Sequence, residues 1–204
     1  MIYLIGGAPR TGKSILSNLL MRELSVSWLS TDALRTIVHD VTPVGERAAR
    51  FPYGGFTSAD QLTDMQVKQM VDWQIVETNS LQSCIDSLIH HQIGVRDSQI
   101  LEGVHILPQH VRILMDDPTC KDQIRAVFIV SEDTTIQLQA MRKNTSHFDW
   151  LEGASDKTRE SVAAFVVAYG KWIRDECEKY ELPCVTRRGA FDHENSEIMK
   201  GLIG

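Results

Sequence analysis

The stretch Gly7-Ala8-Pro9-Arg10-Thr11-Gly12-Lys13-Ser14 decides the fold class of this 204-residue chain. It follows the apolar run Ile2-Tyr3-Leu4-Ile5, and after it come Leu16, Leu19, Leu20 and Leu24 at helical spacing. A loop that joins a strand to a helix with the pattern G-x-x-x-x-G-K-[ST] is a phosphate-binding loop, or P-loop. We therefore expect all residues of this loop to bind nucleotide phosphates, with Lys13 at the β and γ phosphates and Ser14 as a ligand of Mg²⁺.

Apolar runs that indicate strands recur along the chain. They lie at 26–30, 100–103, 124–130 and 183–186, with segments of helical period between them. This alternation predicts an α/β fold around a mostly parallel sheet of about five strands. Together with the P-loop, it resembles the three-layer sandwich of nucleoside-monophosphate kinases, which is the fold we expect.

Between the second and third predicted strands lies a long insert, which we expect at about 40–95, on the substrate side of a single domain that spans the whole chain. Its stretch 51–56 is rich in turn-forming and aromatic residues and is a candidate substrate wall. A capping-box pattern at Ser58 and an apolar period predict one long helix, or two end to end, over 60–91. A second apolar stripe predicts a helix through 162–180.

The composition excludes several kinds of partner. With a formal net charge of −6, the chain has no general attraction for nucleic acid or for anionic membranes. No apolar stretch approaches the roughly 20 residues that span a bilayer, and no signal peptide is recognisable, so we expect a cytoplasmic protein. The four cysteines form no C-x-x-C pair and no zinc-site spacing with histidine, which favours reduced structural thiols.

Two acids follow predicted strands, at the sheet edge where ligands of parallel sheets bind. Asp32 comes after the second strand and is a candidate base for the attacking hydroxyl, although it would also serve as a helix N-cap. Glu102 ends the third strand, where P-loop proteins keep the acid that holds Mg²⁺ or polarises a hydroxyl. Arg35 is a candidate anion clamp or a surface ion-pair partner, and His105 is a candidate substrate ligand or a structural histidine.

These residues resemble a known family. Gly6-Gly7, Ser30-Thr31-Asp32 with Arg35, and above all Leu101-Glu102-Gly103-Val104-His105-Ile106-Leu107-Pro108 are similar to 2-phosphoglycerate kinases. The similarity covers most of the chain in outline, and only the last motif is distinctive. The Asp-x-x-Arg feature also resembles zeta-toxin-like and chloramphenicol phosphotransferase-like kinases. The resemblance implies a P-loop small-molecule kinase, with 2-phosphoglycerate as the leading acceptor.

Kinases of this shape often supply extra cations from a lid that closes over the nucleotide. The lid candidate covers about 142–158, with Arg142 as the catalytic cation and Lys143 and Arg159 as further candidates. Solvated charges at a helix end are the alternative. The segment holds less arginine than 2-phosphoglycerate kinases, which points to a different acceptor. After the last strand, Arg188 is a candidate for stacking on adenine.

Three functions are consistent with this pattern. The first is an ATP- and Mg²⁺-dependent kinase that phosphorylates a hydroxyl of a small molecule, without nucleic acid or membrane as a partner. The second is a P-loop NTPase or switch that acts through a protein partner, for which the insert would be the contact surface. The third is a zeta-toxin-like kinase of a nucleotide sugar, which differs from the first in its acceptor alone.

Overall fold

The computed structural model describes residues 1–143 and 150–203, in which strands and helices alternate. The strands are β1 (Ile2–Gly7), β2 (Ser27–Ser30), β3 (Gln99–Glu102), β4 (Ile124–Val130) and β5 (Cys184–Thr186). The helices are α1 (Lys13–Leu24), α2 (Thr31–Val41), α3 (Val44–Arg50), α4 (Val67–Gly94), α5 (Pro108–Asp116), α6 (Thr134–Lys143), α7 (Asp156–Lys179) and α8 (Phe191–Ile203).

The strands form one parallel sheet in the order β2-β3-β1-β4-β5. The central strand β1 pairs on one side with β3, opposite Gln99 to Glu102, and on the other side with β4. The predicted α/β fold class, with five parallel strands, is therefore confirmed. The strand bounds differ from the prediction by a residue or two at several ends, where apolar content alone does not determine pairing.

Each face of the sheet buries its own apolar cluster, because side chains alternate along a strand. On one face Leu4, Leu101 and Phe128 pack with residues of α4, α5 and α7. On the other face Ile5 and Ile129 pack against the apolar stripe of α1 and against α8. Full burial of each such side chain contributes about 1.5–3 kcal/mol, so the two clusters fix the strands whose ends form the candidate site.

The insert differs from the prediction in its details. The capping box at Ser58 is present, but it begins only a 3-10 turn at Ala59–Leu62, and the long helix α4 begins at Val67 and continues to Gly94. Two helices were not predicted, namely α3, which has no buried residue and hence no apolar stripe, and α8. The stripe predicted through 162–180 is buried in α7 as far as Cys177, whereas Tyr180 is the C-cap of that helix and is partly exposed.

None of the described helices is long and apolar enough to cross a membrane.

Candidate active site

The candidate site lies where β1, β2 and β3 end. The parallel register places Glu102 beside both Ile5 of β1 and Ser30 of β2, so the residues that follow these three positions meet at one edge of the sheet. The P-loop follows β1, helix α2 follows β2 and the Gly103–Leu107 connection follows β3. The sheet topology thus brings together the segments that contain the predicted acids and the P-loop.

The P-loop keeps a compact conformation that depends on its glycines. Gly7 has φ 123° and lies so close to β4 that a Cβ atom would stand 2.0 Å from the carbonyl oxygen of Ile129. Gly12, with φ 82°, immediately precedes α1. Within the loop, the Thr11 hydroxyl donates to the carbonyl of Ala8 at 2.9 Å. In the described structure no side chain caps α1, so its first N–H groups are suited to an anionic ligand.

Lys13 is buried at the start of α1, and its Nζ donates to the carbonyl of Ala8 at 2.7 Å. Burial lowers the pKa of this ammonium group, while the charges of Glu102 and Asp32 act in the opposite direction. Burial likewise raises the pKa of Glu102, and Lys13 opposes that shift. The Ser14 hydroxyl donates to Glu102 Oε2 at 3.1 Å. The ammonium group of Lys13 and the side-chain oxygens of Ser14 and Glu102 therefore lie near one another at the P-loop.

Asp32 presents its carboxylate to solvent from the first turn of α2. The N-cap of this helix is Ser30, whose hydroxyl accepts the N–H of Asp32 at 3.2 Å. The side chain of Asp32 is 76% exposed, and its Oδ1 lies 3.6 Å from Nδ1 of His105. Since Ser30 supplies the cap, the N-cap alternative does not account for the carboxylate of Asp32.

His105 is buried beneath Asp32, with Nδ1 at 3.0 Å from the hydroxyl of Thr31. Burial lowers the pKa of His105 to about 4, so the ring is neutral at physiological pH. Gly103 allows this arrangement, because a Cβ atom there would lie 1.7 Å from Thr31 Oγ1. The connection after β3 therefore holds a neutral imidazole against the helix that carries Asp32.

Arg35, one turn after Asp32, forms a two-pronged ion pair with Glu77 of α4. Its Nε and Nη2 lie 2.6 and 2.8 Å from the two carboxylate oxygens. Glu77 is buried, and it also accepts the backbone N–H of Tyr53 at 3.0 Å. The contact with Glu77 raises the pKa of Arg35. Sequence reasoning missed Glu77. The signal that could have revealed it is its place in α4 on the same helical face as the buried Met70 and Leu81.

A cavity of about 530 Å³ opens between the P-loop and the insert. Its polar lining comprises Asp32, Arg35, Thr57, Ser58, Gln74, Glu77 and His105. Its aromatic lining comprises Tyr53, Phe56, Trp150 and Phe165. Pro9 of the P-loop also borders it. The aromatic stretch 51–56 thus contributes two rings to the wall of this cavity, and Asp32 and Arg35 line the same cavity as Pro9 of the P-loop.

The predicted lid cations lie apart from this cavity. Arg142 is exposed near the end of α6, with Nη2 at 3.7 Å from Asp156, and Arg159 pairs with the same carboxylate at 3.6 Å. The side chain of Lys143 and residues 144–149 of the lid candidate lie outside the described residues.

Within the P-loop, Arg10 adopts a left-handed backbone conformation with φ 58°.

After β5, the structure distinguishes two neighbouring arginines. Arg188 is exposed, whereas Arg187 is buried and donates from Nε to the carbonyl of Thr11 at 3.0 Å. The guanidinium of Arg187 also binds Asn195 at 2.6 Å and lies over the ring of Phe191 at 5.0 Å. Arg187 therefore supports the P-loop from within the protein. The prediction named Arg188 for the nucleotide, and the sequence of two adjacent arginines gives no sign of which one is buried.

Solved structures share this fold over almost the whole chain. An uncharacterized protein from Eubacterium ventriosum aligns with a TM-score of 0.52 at 15% identity, covering 100% of this chain and 98% of that one. A sugar kinase from Janibacter aligns with a TM-score of 0.50 at 12% identity, covering 99% and 94% of the two chains. A gluconokinase from Sinorhizobium meliloti aligns with a TM-score of 0.50 at 13% identity, covering 99% and 90%.

No protein-family model matches the sequence, and a comparison with curated proteins finds no match either. At these identities the structural likeness concerns the fold alone. It agrees with the parallel sheet and flanking helices described above, and the chain has the α/β fold of the nucleoside-monophosphate kinase type.

Proposed function

We propose that this chain is an ATP- and Mg²⁺-dependent phosphotransferase that transfers the γ-phosphate to a hydroxyl group of a small molecule. The observation that carries the proposal is the shared cavity, which is bordered by Pro9 of the P-loop and by the exposed carboxylate of Asp32. Its volume of about 530 Å³ is in the range of small-molecule sites. A phosphate donor and a small acceptor would therefore meet beside a carboxylate.

The nucleotide end of the site would consist of the P-loop residues 7–14. Their backbone N–H groups and the start of α1 favour a polyphosphate. Lys13 would exchange the carbonyl of Ala8 for an oxygen of the β or γ phosphate, which gives its buried charge a stronger partner. Arg188 is a further candidate for the nucleotide, at the border of the adenine.

The residues at the P-loop fit a magnesium ion. Ser14 and Glu102 offer adjacent oxygen atoms, the type of ligand that Mg²⁺ prefers. The negative charge of Glu102 also acts on the ammonium group of Lys13. Mg²⁺ held there, by the Ser14 hydroxyl and by Glu102 directly or through water, would neutralise phosphate charge during transfer.

Asp32 would act as the base. The acceptor hydroxyl donates its proton to the carboxylate of Asp32, its oxygen forms a bond to the γ-phosphorus, and the bond from that phosphorus to the β-phosphate oxygen breaks to leave ADP. His105 is neutral and buried, so we assign it a positioning role through Thr31 and Asp32. Arg142 is the proposed source of positive charge for the transferring group, which requires the lid candidate to close over the nucleotide.

The charges on the cavity bear on the choice of acceptor. Two carboxylates, Asp32 and Glu77, face it, and its one described cationic lining residue, Arg35, is already paired with Glu77. A phosphorylated acid such as 2-phosphoglycerate would bring further negative charge to this lining. We therefore propose an uncharged or cationic acceptor whose planar or apolar part contacts the aromatic wall, and keep 2-phosphoglycerate as the named alternative.

Acceptor-dependent formation of ADP tests the proposal. Purified protein is incubated with ATP and Mg²⁺ and a panel that contains nucleosides, aminoglycosides, sugars, nucleotide sugars and phosphorylated acids including 2-phosphoglycerate. We expect phosphorylated product from an uncharged or cationic member. Product from 2-phosphoglycerate or from a nucleotide sugar alone would contradict the proposed acceptor class, and no product from any member would contradict the kinase proposal.

A nucleotide-dependent switch is the second candidate, and one observation favours it. Ile37, Val41 and Val44, around the α2–α3 corner where the insert begins, are large apolar residues with at least 60% of their surface exposed. Apolar residues grouped on a surface are typical of a protein contact. ATP hydrolysis that is independent of every acceptor but is stimulated by a bound protein would favour the switch over the kinase.

A further inference from the structure

Three potential metal ligands meet on the side of the protein formed by the end of α4 and the turn after α5. They are His90 in the last two turns of α4, Asp117 directly after α5, and Cys120 in the following turn. Within residues 1–143 and 150–203, this is the one group of three such side chains whose ligand atoms lie within 4.8 Å of one another. None of the three lines the cavity described above.

The two distances from His90 to the other ligands match the edges of a tetrahedral zinc site. Nε2 of His90 lies 3.4 Å from Oδ2 of Asp117 and 3.6 Å from Sγ of Cys120. A tetrahedron with zinc–nitrogen and zinc–oxygen bonds of about 2.0–2.2 Å and a zinc–sulfur bond of about 2.3 Å has N···O edges of about 3.3–3.5 Å and an N···S edge of about 3.6 Å. The two edges that meet at Nε2 of His90 therefore already have the lengths that a tetrahedral zinc site requires, and the ligand atoms of Asp117 and Cys120 lie within 4.8 Å of each other.

Supporting contacts orient two of the three side chains. Nδ1 of His90 lies 2.8 Å from the carbonyl of Asp86, which makes Nδ1 the protonated nitrogen and leaves Nε2 with a free lone pair in the neutral ring. Oδ1 of Asp117 accepts both the backbone N–H and the hydroxyl of Thr119 at 2.8 Å, which turns Oδ2 toward His90. Histidine and carboxylate ligands of metals usually have partners of this kind.

The same contacts argue against a nucleophilic role for Cys120. In a catalytic Cys–His–acid triad, the acid holds one ring nitrogen and the thiol the other. Here both Asp117 and Cys120 approach Nε2 of His90.

We propose that His90, Asp117 and Cys120 bind one Zn²⁺ ion through Nε2, Oδ2 and Sγ, with water as the fourth ligand. The side chains of His90 and Asp117 are 44% and 35% exposed, so the fourth position faces solvent. On binding, Cys120 releases its thiol proton to solvent and coordinates as the thiolate. The ion would tie the end of α4 to the turn that precedes β4. The ligands are 27 and 3 residues apart in the chain, a spacing outside the common zinc motifs.

Titration of the metal-free protein with Co²⁺, which replaces Zn²⁺ and reports on its ligands by absorption, tests this proposal. We expect one Co²⁺ per chain, a thiolate-to-cobalt charge-transfer band, and displacement of the Co²⁺ by Zn²⁺. Cys120→Ser should abolish the band. His90→Ala and Asp117→Asn, which change partly exposed side chains, should weaken Zn²⁺ binding at least about tenfold, since even loss of a supporting partner costs a metal site this much.

Matched controls use neighbouring residues of the same types. Cys84→Ser, His91→Ala and Asp116→Asn should keep the band and the Zn²⁺ affinity of the natural sequence. Thermal unfolding of the metal-free variants checks that each one folds. A protein without a thiolate band, with less than one ion per chain, or with the same affinity in His90→Ala as in His91→Ala would overturn the proposal. Because these readouts do not involve ATP, they are independent of the kinase proposal.

Discussion

At the scale of single residues, the candidate site depends on how differently its acids are surrounded. Asp32 is exposed at the mouth of a cavity, whereas Glu102 is buried beside Lys13 and Ser14. A carboxylate that must accept a proton from a bound molecule has to be reachable, and one that supports a metal and a lysine does not. We therefore assign the acceptance of the proton to Asp32 and the support of the metal ion and of Lys13 to Glu102.

Replacement of Asp32 by Asn should lower the rate of phosphate transfer by about 10²–10⁴-fold, the usual contribution of a positioned base. The Kd for ATP should change little, because the P-loop backbone and Lys13 bind the phosphates. Single-turnover kinetics and an ATP titration separate the two effects. Asp40→Asn, an exposed acid on the same helix, is the control, and transfer by Asp32→Asn at the rate of that control would remove Asp32 as the base.

His105 should make the folded state sensitive to acid. Its pKa is about 4 in the folded protein, below the usual value of 6.5, so the unfolded chain binds more protons between these values. The free energy of unfolding should therefore fall as the pH is lowered from about 6.5 to about 4. His105→Gln should reduce this slope in urea titrations, whereas the exposed His91→Gln should leave it unchanged. Equal slopes in all three proteins would show that His105 is not buried as the neutral ring.

At the scale of secondary-structure elements, the insert is held to the site by polar contacts. Arg35 of α2 binds Glu77 of α4, and Asp60 of the 3-10 turn accepts hydrogen bonds from Thr158 and from the backbone of Ser155 at the start of α7. These contacts join the aromatic wall of the cavity to the helices beside it. The acceptor side of the cavity is thus built from segments that are distant in sequence.

Replacement of Glu77 by Gln should destabilise the protein by about 1–3 kcal/mol, because it leaves the Arg35 guanidinium without its charged partner in a partly buried place. Urea unfolding measures this change. Asp72→Asn, which breaks the exposed Lys68–Asp72 pair on the same helix, should cost less than about 1 kcal/mol. Equal effects of the two substitutions would mean that the Arg35–Glu77 pair does not hold α2 to α4.

The sequence predicted the elements that depend on local pattern and missed those that depend on distant partners. The P-loop, the five strands and α7 each have an apolar or glycine pattern within a short window, and all are present. The contacts of Glu77 with Arg35 and of Arg187 with Thr11 were not predicted, because these partners are 42 and 176 residues away in the chain. The start of α4 was predicted too early, since a capping box also begins a short 3-10 turn.

At the scale of the whole molecule, the five-stranded parallel sheet positions the P-loop beside a cavity that the insert borders on the other side. Nucleotide binding should therefore stabilise the folded protein as a whole. At an ATP concentration of 100 times the Kd, linkage predicts a gain of about 2.7 kcal/mol in the free energy of unfolding. Lys13→Ala should show much less stabilisation at the same concentration, measured by thermal unfolding with and without ATP and Mg²⁺. Lys179→Ala, at the end of α7, should behave like the natural sequence.

The central claim is that the P-loop and Asp32 form the two halves of one transfer site, and the most direct measurement follows the γ-phosphate itself. ATP labelled at the γ-phosphate is incubated with Mg²⁺ and the acceptor panel, and the label is traced in the natural protein and in Asp32→Asn. We predict that the natural protein transfers label to an acceptor hydroxyl and that Asp32→Asn binds ATP but transfers at least about a hundredfold more slowly. Label that appears only as inorganic phosphate, at the same rate with and without acceptors and in both proteins, would contradict the claim.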